Sequence, residues 1–140
     1  MAHEVQIRIK NNFSELETVR SQSASFYTRH QIPLKDSNAV ELAISEVITN
    51  IISYGYQDDS EYYIDVHLLY ENDQLILRIE DDARAFNPLT ISDPDTAENL
   101  DDRPIGGLGI HLVRQMMDDV SYSYQNNRNC LTMVKKLKET

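Results

Sequence analysis

The chain has 140 residues, 41% of them hydrophobic and 26% charged, and a formal net charge of −10; that length and balance predict one domain over 1–140 with its own core. So acidic a chain repels nucleic acid and anionic bilayers at long range, which excludes both as expected partners, and no apolar run is long enough to span a membrane. A single cysteine, Cys130, excludes an intrachain disulfide and the paired-cysteine metal sites. With no basic-then-apolar leader at Met1, the cytoplasm is the expected compartment.

In chain order, Val5–Ile9 alternates apolar and polar residues and predicts a half-buried strand. Ser14 and Glu17 have the spacing of a capping box, which predicts a helix over about 14–30 that Ile32-Pro33 ends. Its apolar face is thin, which leaves an interface, and a homodimer, open. Asp36, Ser37 and Asn38 are candidate caps for a stronger helix running to Tyr54, with Gly55 as a left-handed stop. Val40, Ile44, Val47, Ile48 and Ile51 share its core-facing stripe. An adjacent stripe holds Ala39, Ala43, Glu46, Asn50 and Ser53, small residues with two longer polar ones a single turn apart. Tyr62–Tyr70 and Gln74–Glu80 flank the turn residues Asn72-Asp73 and predict a hairpin that Asp81-Asp82 closes.

Residues 82–106 lack periodicity and are rich in acids, the pattern of a lid or insert. Leu108, Leu112, Val113, Met116, Met117 and Val120 then predict a third helix. Strands from Val120 and from Cys130 follow, joined at Asn126-Asn127. The order β-α-α-β-β-loop-α-β-β predicts an α+β, two-layer sandwich, with helices on one face of a mostly antiparallel mixed sheet.

Three polar clusters are candidates for chemistry. Glu46 and Asn50, at i and i+4, reach one point on a helix face. A neutral amide oxygen suits Mg²⁺, and the carboxylate beside it suits a general base; a solvated helix flank fits the spacing equally well. Asp81 ends a strand near Phe86, where it can accept from an amino group with a flat apolar wall nearby; a turn-capping aspartate is the commoner arrangement. Gly106, Gly107 and Gly109, three of the four glycines, open a helix whose free amides and dipole favour a phosphate; plain loop geometry is the commoner reason for a glycine-rich helix start.

Taken together, Glu46-Val47-Ile48-Thr49-Asn50, Glu80 to Pro88 and Gly106 to Leu112 resemble the N, D-x-G and G2 boxes of the GHKL (Bergerat-fold) ATPases. The likeness runs from about Val5 to Leu137 and is greatest to the anti-sigma-factor serine kinases of bacterial partner-switching systems. The resemblance implies ATP bound between helices and sheet under a lid at about 82–106. It implies Glu46 as general base, Asn50 on Mg²⁺, and Asp81 on the adenine amino group. Ala83 and Phe86 would stand beside the base. Gly106, Gly107, Leu108, Gly109 and Ile110 would stand at the phosphates, with Thr132 supporting Asp81 and Arg103 a candidate lid cation. His111 is expected to be helix-start geometry. The implied protein partners are an anti-sigma-factor antagonist and a sigma factor. A non-catalytic ATP-binding module of the same fold is the alternative, and a stray histidine-kinase catalytic domain ranks below both. Two positions depart from the pattern, Ala83 for glycine and Tyr54 for histidine. If residue 83 needs φ > 0, alanine adds strain on the order of 1 kcal/mol; if it only approaches the base, a methyl is tolerated.

Overall fold

A computed structural model describes residues 3–56, 58, 60–90 and 107–137. Its strands are β1 (His3–Lys10), β2 (Tyr63–Glu71), β3 (Gln74–Asp81), β4 (Asp119–Gln125) and β5 (Arg128–Lys136), and its α-helices are α1 (Leu16–Arg29), α2 (Leu34–Tyr54) and α3 (Gly107–Met116). The sheet order is β1-β2-β3-β5-β4, and every neighbouring pair is antiparallel. The sheet expected to be mostly antiparallel thus has no parallel pair among the described residues.

Both hairpins close on two residues. Asn72 and Asp73 have φ of 53° and 58°, and Asn126 and Asn127 have φ of 56° and 61°. Paired left-handed residues match the right-handed twist of the flanking strands, and asparagine and aspartate tolerate that region best after glycine.

One face of the sheet is apolar and the other ionic. Ile7, Ile9, Ile64, Val66, Leu68, Leu75, Leu77, Ile79, Leu131 and Met133 turn into the core, where they meet Val19 and Phe26 of α1, Val40, Ile44, Val47 and Ile48 of α2, and Ile110 and Val113 of α3. On the opposite face Asp65 Oδ1 and Oδ2 accept from Arg8 Nε (2.7 Å) and Arg128 Nη2 (2.7 Å). The period of two makes this division, since each strand places alternate side chains on alternate faces.

The helix ends differ from the sequence expectations in ways that local bonds explain. Ser14 and Glu17 form no capping box. A single 3-10 turn, Phe13–Glu15, precedes α1; the Asn12 side chain accepts from Ser14 N (3.1 Å), and Glu15 Oε1 accepts from Lys10 N (3.1 Å). The chain leaves α1 before Pro33 can act. Gln31 sits at φ 54°, Ile32 N donates to Tyr27 O (3.0 Å), and Gln31 N donates to Thr28 O (3.2 Å). That is a Schellman ending with glutamine in the glycine place. Pro33 then becomes the cap of α2, its carbonyl accepting from Asp36 N and Ser37 N (both 3.0 Å), so the expected caps Asp36 and Ser37 lie buried in the first turn instead. Gly55 has φ −84° and is no left-handed stop. Val120, expected both to end the third helix and to begin the next strand, lies in β4.

Candidate functional site

The elements converge on a cavity of about 570 Å³ between α2, α3 and the ends of β3 and β5. Val47, Ile51, Ile79, Ile110 and Leu131 give it apolar walls, and Asn50, Asp81 and Asn129 are among its polar lining. An apolar recess with a few converging polar groups is the usual build of a small-ligand site.

Asp81 arrives there by strand phase. β3 sends Leu75, Leu77 and Ile79 into the core, and Asp81 takes the next place on that face, 4% exposed. β5 repeats the device with Met133, Leu131 and then Asn129, and the register sets Asp81 opposite Asn129. Asn129 Nδ2 donates to Asp81 Oδ1 (3.0 Å), Ala83 O (3.2 Å) and Arg84 O (3.0 Å). Its Oδ1 accepts from Phe86 N (3.1 Å) and, in a very short contact, from the Tyr122 hydroxyl. Donors on one side and acceptors on the other leave a single consistent orientation for the amide. Asp81 Oδ1 also accepts from Ala83 N (2.9 Å). Burial pushes the Asp81 carboxyl above the ordinary aspartate range, against the pull of the Asn129 and Ala83 bonds.

Thr132, expected to support Asp81, lies on the other face. It is one residue out of phase with Asn129, Leu131 and Met133, pairs with Arg78, and has its Oγ1 3.8 Å from Cys130 Sγ. Asn129 has the position expected of Thr132. It follows the turn pair Asn126-Asn127, and its phase with Leu131 and Met133 is the sequence signal for its place.

Ala83 is not among the residues at positive φ, so it carries no left-handed strain. It is buried, and a Cβ placed on Gly55 would come within 2.9 Å of the Ala83 Cβ. Ile51 O is closer still, at 2.7 Å, so the last turn of α2 and the exit of β3 both favour glycine at 55, and Arg84 N donates to Gly55 O (3.3 Å) across the contact with β3. Phe86 and Tyr54 line the cavity with about half their surface exposed, at 50% and 48%.

On α2, Asn50 lines the cavity and Glu46 lies one turn back, half-buried. Glu46 meets the start of α3: a Cβ on Gly109 would fall 2.3 Å from Glu46 Oε2. A side chain at 109 would therefore require the Glu46 carboxylate to move. Gly107 begins α3 and Leu108 follows, while Ile110 is buried in the cavity wall. Gly106, Arg103 and most of the expected lid fall outside the described residues. The structure thus brings together Glu46, Asn50, Asp81, Ala83, Phe86, Gly109 and Ile110, adds Asn129, Gly55 and Tyr56, and leaves Thr132 apart.

Among the described residues no cluster of three His, Cys, Asp or Glu side chains forms a cage for a metal ion, and no helix is long and apolar enough to cross a membrane.

Known proteins resemble this chain in sequence and in fold. Serine-protein kinase RsbW of Bacillus mycoides is 26% identical over 131 residues, covering 91% of this chain and 81% of that protein. The protein of that name from Staphylococcus aureus is 24% identical over 141 residues, covering 96% and 87%. The one from Listeria monocytogenes is 33% identical over 89 residues, a match spanning 61% of this chain and 57% of its relative. In three dimensions the chain resembles the crystal structure of the RsbU and RsbW domains of Rv1364c from Mycobacterium tuberculosis, with a TM-score of 0.66 at 13% identity, over 96% of this chain and 32% of that longer one. Residues 9–135 match the histidine kinase-like ATPase domain, and the chain belongs to that family.

Proposed function

We propose that this chain is an ATP-dependent serine/threonine protein kinase of a partner switch, which phosphorylates a small antagonist protein and acts as an anti-sigma factor. Family membership and the RsbW relatives support the class of activity. The observation that carries the reading is one of arrangement. Glu46 lies against Gly109 at the start of α3, while Asp81 and Asn129 line the neighbouring cavity at the exit of β3. A carboxylate beside a helix N-terminus, next to a cavity with a second, desolvated carboxylate, suits a nucleotide with its base at Asp81 and its phosphates at α3.

The residues fit such a ligand. The cavity is apolar enough for a base, and Gly109 leaves the room that a side chain would fill. Bound ATP with magnesium supplies the transferable phosphoryl group and neutralises its charge. Asn50 would offer its amide oxygen to Mg²⁺, which takes few protein ligands and is otherwise satisfied by water and phosphate. Asp81, held by Asn129 and Ala83, would accept from the adenine amino group. Glu46 would orient the incoming serine or threonine hydroxyl and take its proton. Gly107 and Gly109 would present backbone amides to phosphate oxygens. Phosphoryl transfer needs mainly such positioning and charge stabilisation. The site reading takes 1–140 as one ATP-binding unit working in the cytoplasm, with an antagonist and a sigma factor as protein partners.

Labelled ATP and a candidate antagonist test it. Wild type is expected to transfer the γ-phosphoryl group to a serine or threonine, and Glu46→Ala to lose 10²-fold or more of that rate, on the order expected of a general base, while still binding ATP. Unchanged transfer by Glu46→Ala removes Glu46 from the chemistry. ATP binding without transfer to any cognate antagonist favours the non-catalytic module.

A further inference from the structure

Asn129 is a buried amide whose bonds reach well beyond Asp81. Its Nδ2 donates to Asp81 Oδ1 (3.0 Å), Ala83 O (3.2 Å) and Arg84 O (3.0 Å), while its Oδ1 accepts from Phe86 N (3.1 Å) and from the Tyr122 hydroxyl. One side chain of β5 therefore fixes both the acid at the end of β3 and the backbone that follows it. A buried polar network with every member satisfied rigidifies what it connects.

The rest of that backbone is fixed as well. Leu89 N donates to Asn87 Oδ1 (2.9 Å), and Arg114 of α3 donates to Leu89 O in a very short contact. Residues 83–89 thus run from an anchor on β5 to an anchor on α3, and Ala83, Arg84, Phe86 and Pro88 line the cavity along the way. On Asp81 the two internal donors, Ala83 N and Asn129 Nδ2, both bind Oδ1, and no described residue donates to Oδ2. The second oxygen is left for a ligand. Tyr122 of β4 sets which way the amide faces. Burial pushes its hydroxyl above the ordinary range, so it keeps its proton and donates to Asn129 Oδ1, which turns Nδ2 toward the carboxylate.

We propose that Asn129 is a positioning residue for the nucleotide: its amide aims Asp81 Oδ2 at the amino group of the base and holds the Phe86 wall at a fixed distance from that acid. This rests on the reading that the cavity takes ATP. Asn129 touches no reacting atom, and its contribution is geometric. A carboxylate free to rotate loses the alignment that a charge-assisted hydrogen bond needs. An apolar wall free to shift loses its contact with the base. A site already ordered avoids the cost of ordering those groups as the ligand binds. Leucine at 129 fills a similar volume without the bonds, and aspartate keeps the shape but sets a second carboxylate beside Asp81.

Calorimetry with the magnesium complexes of ATP and of purine riboside triphosphate, which lacks the amino group, tests this on wild type, Asn129→Leu, Asn129→Asp and Tyr122→Phe. Wild type is expected to prefer ATP by about tenfold, the span of one hydrogen bond, and Asn129→Leu to bind the two alike. Asn129→Asp is expected to lose the preference at about pH 8 and to regain part of it toward about pH 6, where two neighbouring carboxylates take up a proton and one again donates to the other. A merely structural asparagine gives no such pH dependence. Phe86→Ala is expected to weaken ATP by less in the Asn129→Leu background than in wild type, since residues that act through one another are not additive. Should Asn129→Leu melt too low to titrate, Asn129→Asp and Tyr122→Phe, the latter with a smaller loss of preference, decide the question. A preference for ATP kept in the Asn129 variants, or fully additive costs at 129 and 86, overturns the proposal and leaves the ATP site standing. Equal binding of both ligands by wild type also overturns it. If wild type binds neither, the ATP reading falls with it.

Discussion

At the scale of single residues, the site depends on polar groups placed where strand phase calls for apolar ones. Asp81 and Asn129 continue the files Leu75-Leu77-Ile79 and Met133-Leu131 and face one another across β3 and β5. Burial raises the Asp81 pKa, so the folded state holds its carboxylate ionised at a cost above that pKa. A group bound to its proton more tightly in the folded state lowers stability as pH rises through the folded value. Asparagine keeps an acceptor for Ala83 N and Asn129 Nδ2 without the charge. Asp81→Asn is accordingly expected to melt at or above the wild-type temperature at neutral pH in the absence of ligand, with any advantage shrinking as pH falls through the Asp81 pKa. With ATP at a hundredfold over Kd, wild type should gain about 2.7 kcal/mol of stability, and the variant should gain none. Thermal melts with and without ATP across pH check both; a fall in the ligand-free midpoint would mean that the carboxylate holds the exit of β3 together. Asp81 was legible in the sequence as a strand-end acid with a possible amino-group partner. Asn129 was not, because its role exists only once β5 is registered against β3.

At the scale of elements, period and turn residues were legible and helix ends were not. Alternation marked β1 and β3, β-branched and aromatic residues marked β2, and the Asn-Asp and Asn-Asn pairs marked both hairpins. The stripe Val40, Ile44, Val47 and Ile48 is buried as its spacing requires, while Ile51 turns to the cavity wall. Helix ends depend on bonds between backbone groups that many residue types can make, so the capping signature at Ser14 and the glycine at position 55 both misled. The end of α1 shows what this costs. Gln31 occupies φ 54° in a Schellman ending, where a Cβ is disfavoured by about 1 kcal/mol. Replacing Gln31 with glycine is expected to add about that much stability, worth a few degrees in the melting midpoint of a domain this size. Chemical denaturation of Gln31→Gly against wild type measures it. A loss would mean that the Gln31 side chain contributes more than its backbone strain removes.

At the scale of the whole molecule, an ionic outer face, an apolar layer and helices on one side leave the cavity at one end of the core, where α2, α3 and the strand ends meet. The far end of the layer holds a second polar cluster. His30, after α1, packs 4.6 Å from both Phe26 and His3 and 5.4 Å from Tyr70, between β1 and β2. Burial lowers its pKa, and His3 and Arg29 lower it further. The unfolded chain then binds this proton more readily than the folded one, so stability rises with pH through that window and is lost as pH falls below the ordinary histidine value of about 6.5. Relative to His30→Phe, wild type is expected to lose stability between about pH 7.5 and about pH 5.5, measured by thermal melts in matched buffers; parallel curves would show that His30 titrates as it does in the unfolded chain. Composition and period were sufficient to predict an α+β sandwich and its element order, because these properties are local or recur along the chain, while Glu46, Asn50 and Asp81 were singled out by resemblance to the ATPase boxes. Only the tertiary structure decided that Asn129 and not Thr132 holds Asp81, that Gly55 packs against Ala83, and that Gly109 lies against Glu46. Each of those three depends on the distance between segments far apart in sequence, and that distance is set by packing the layers together.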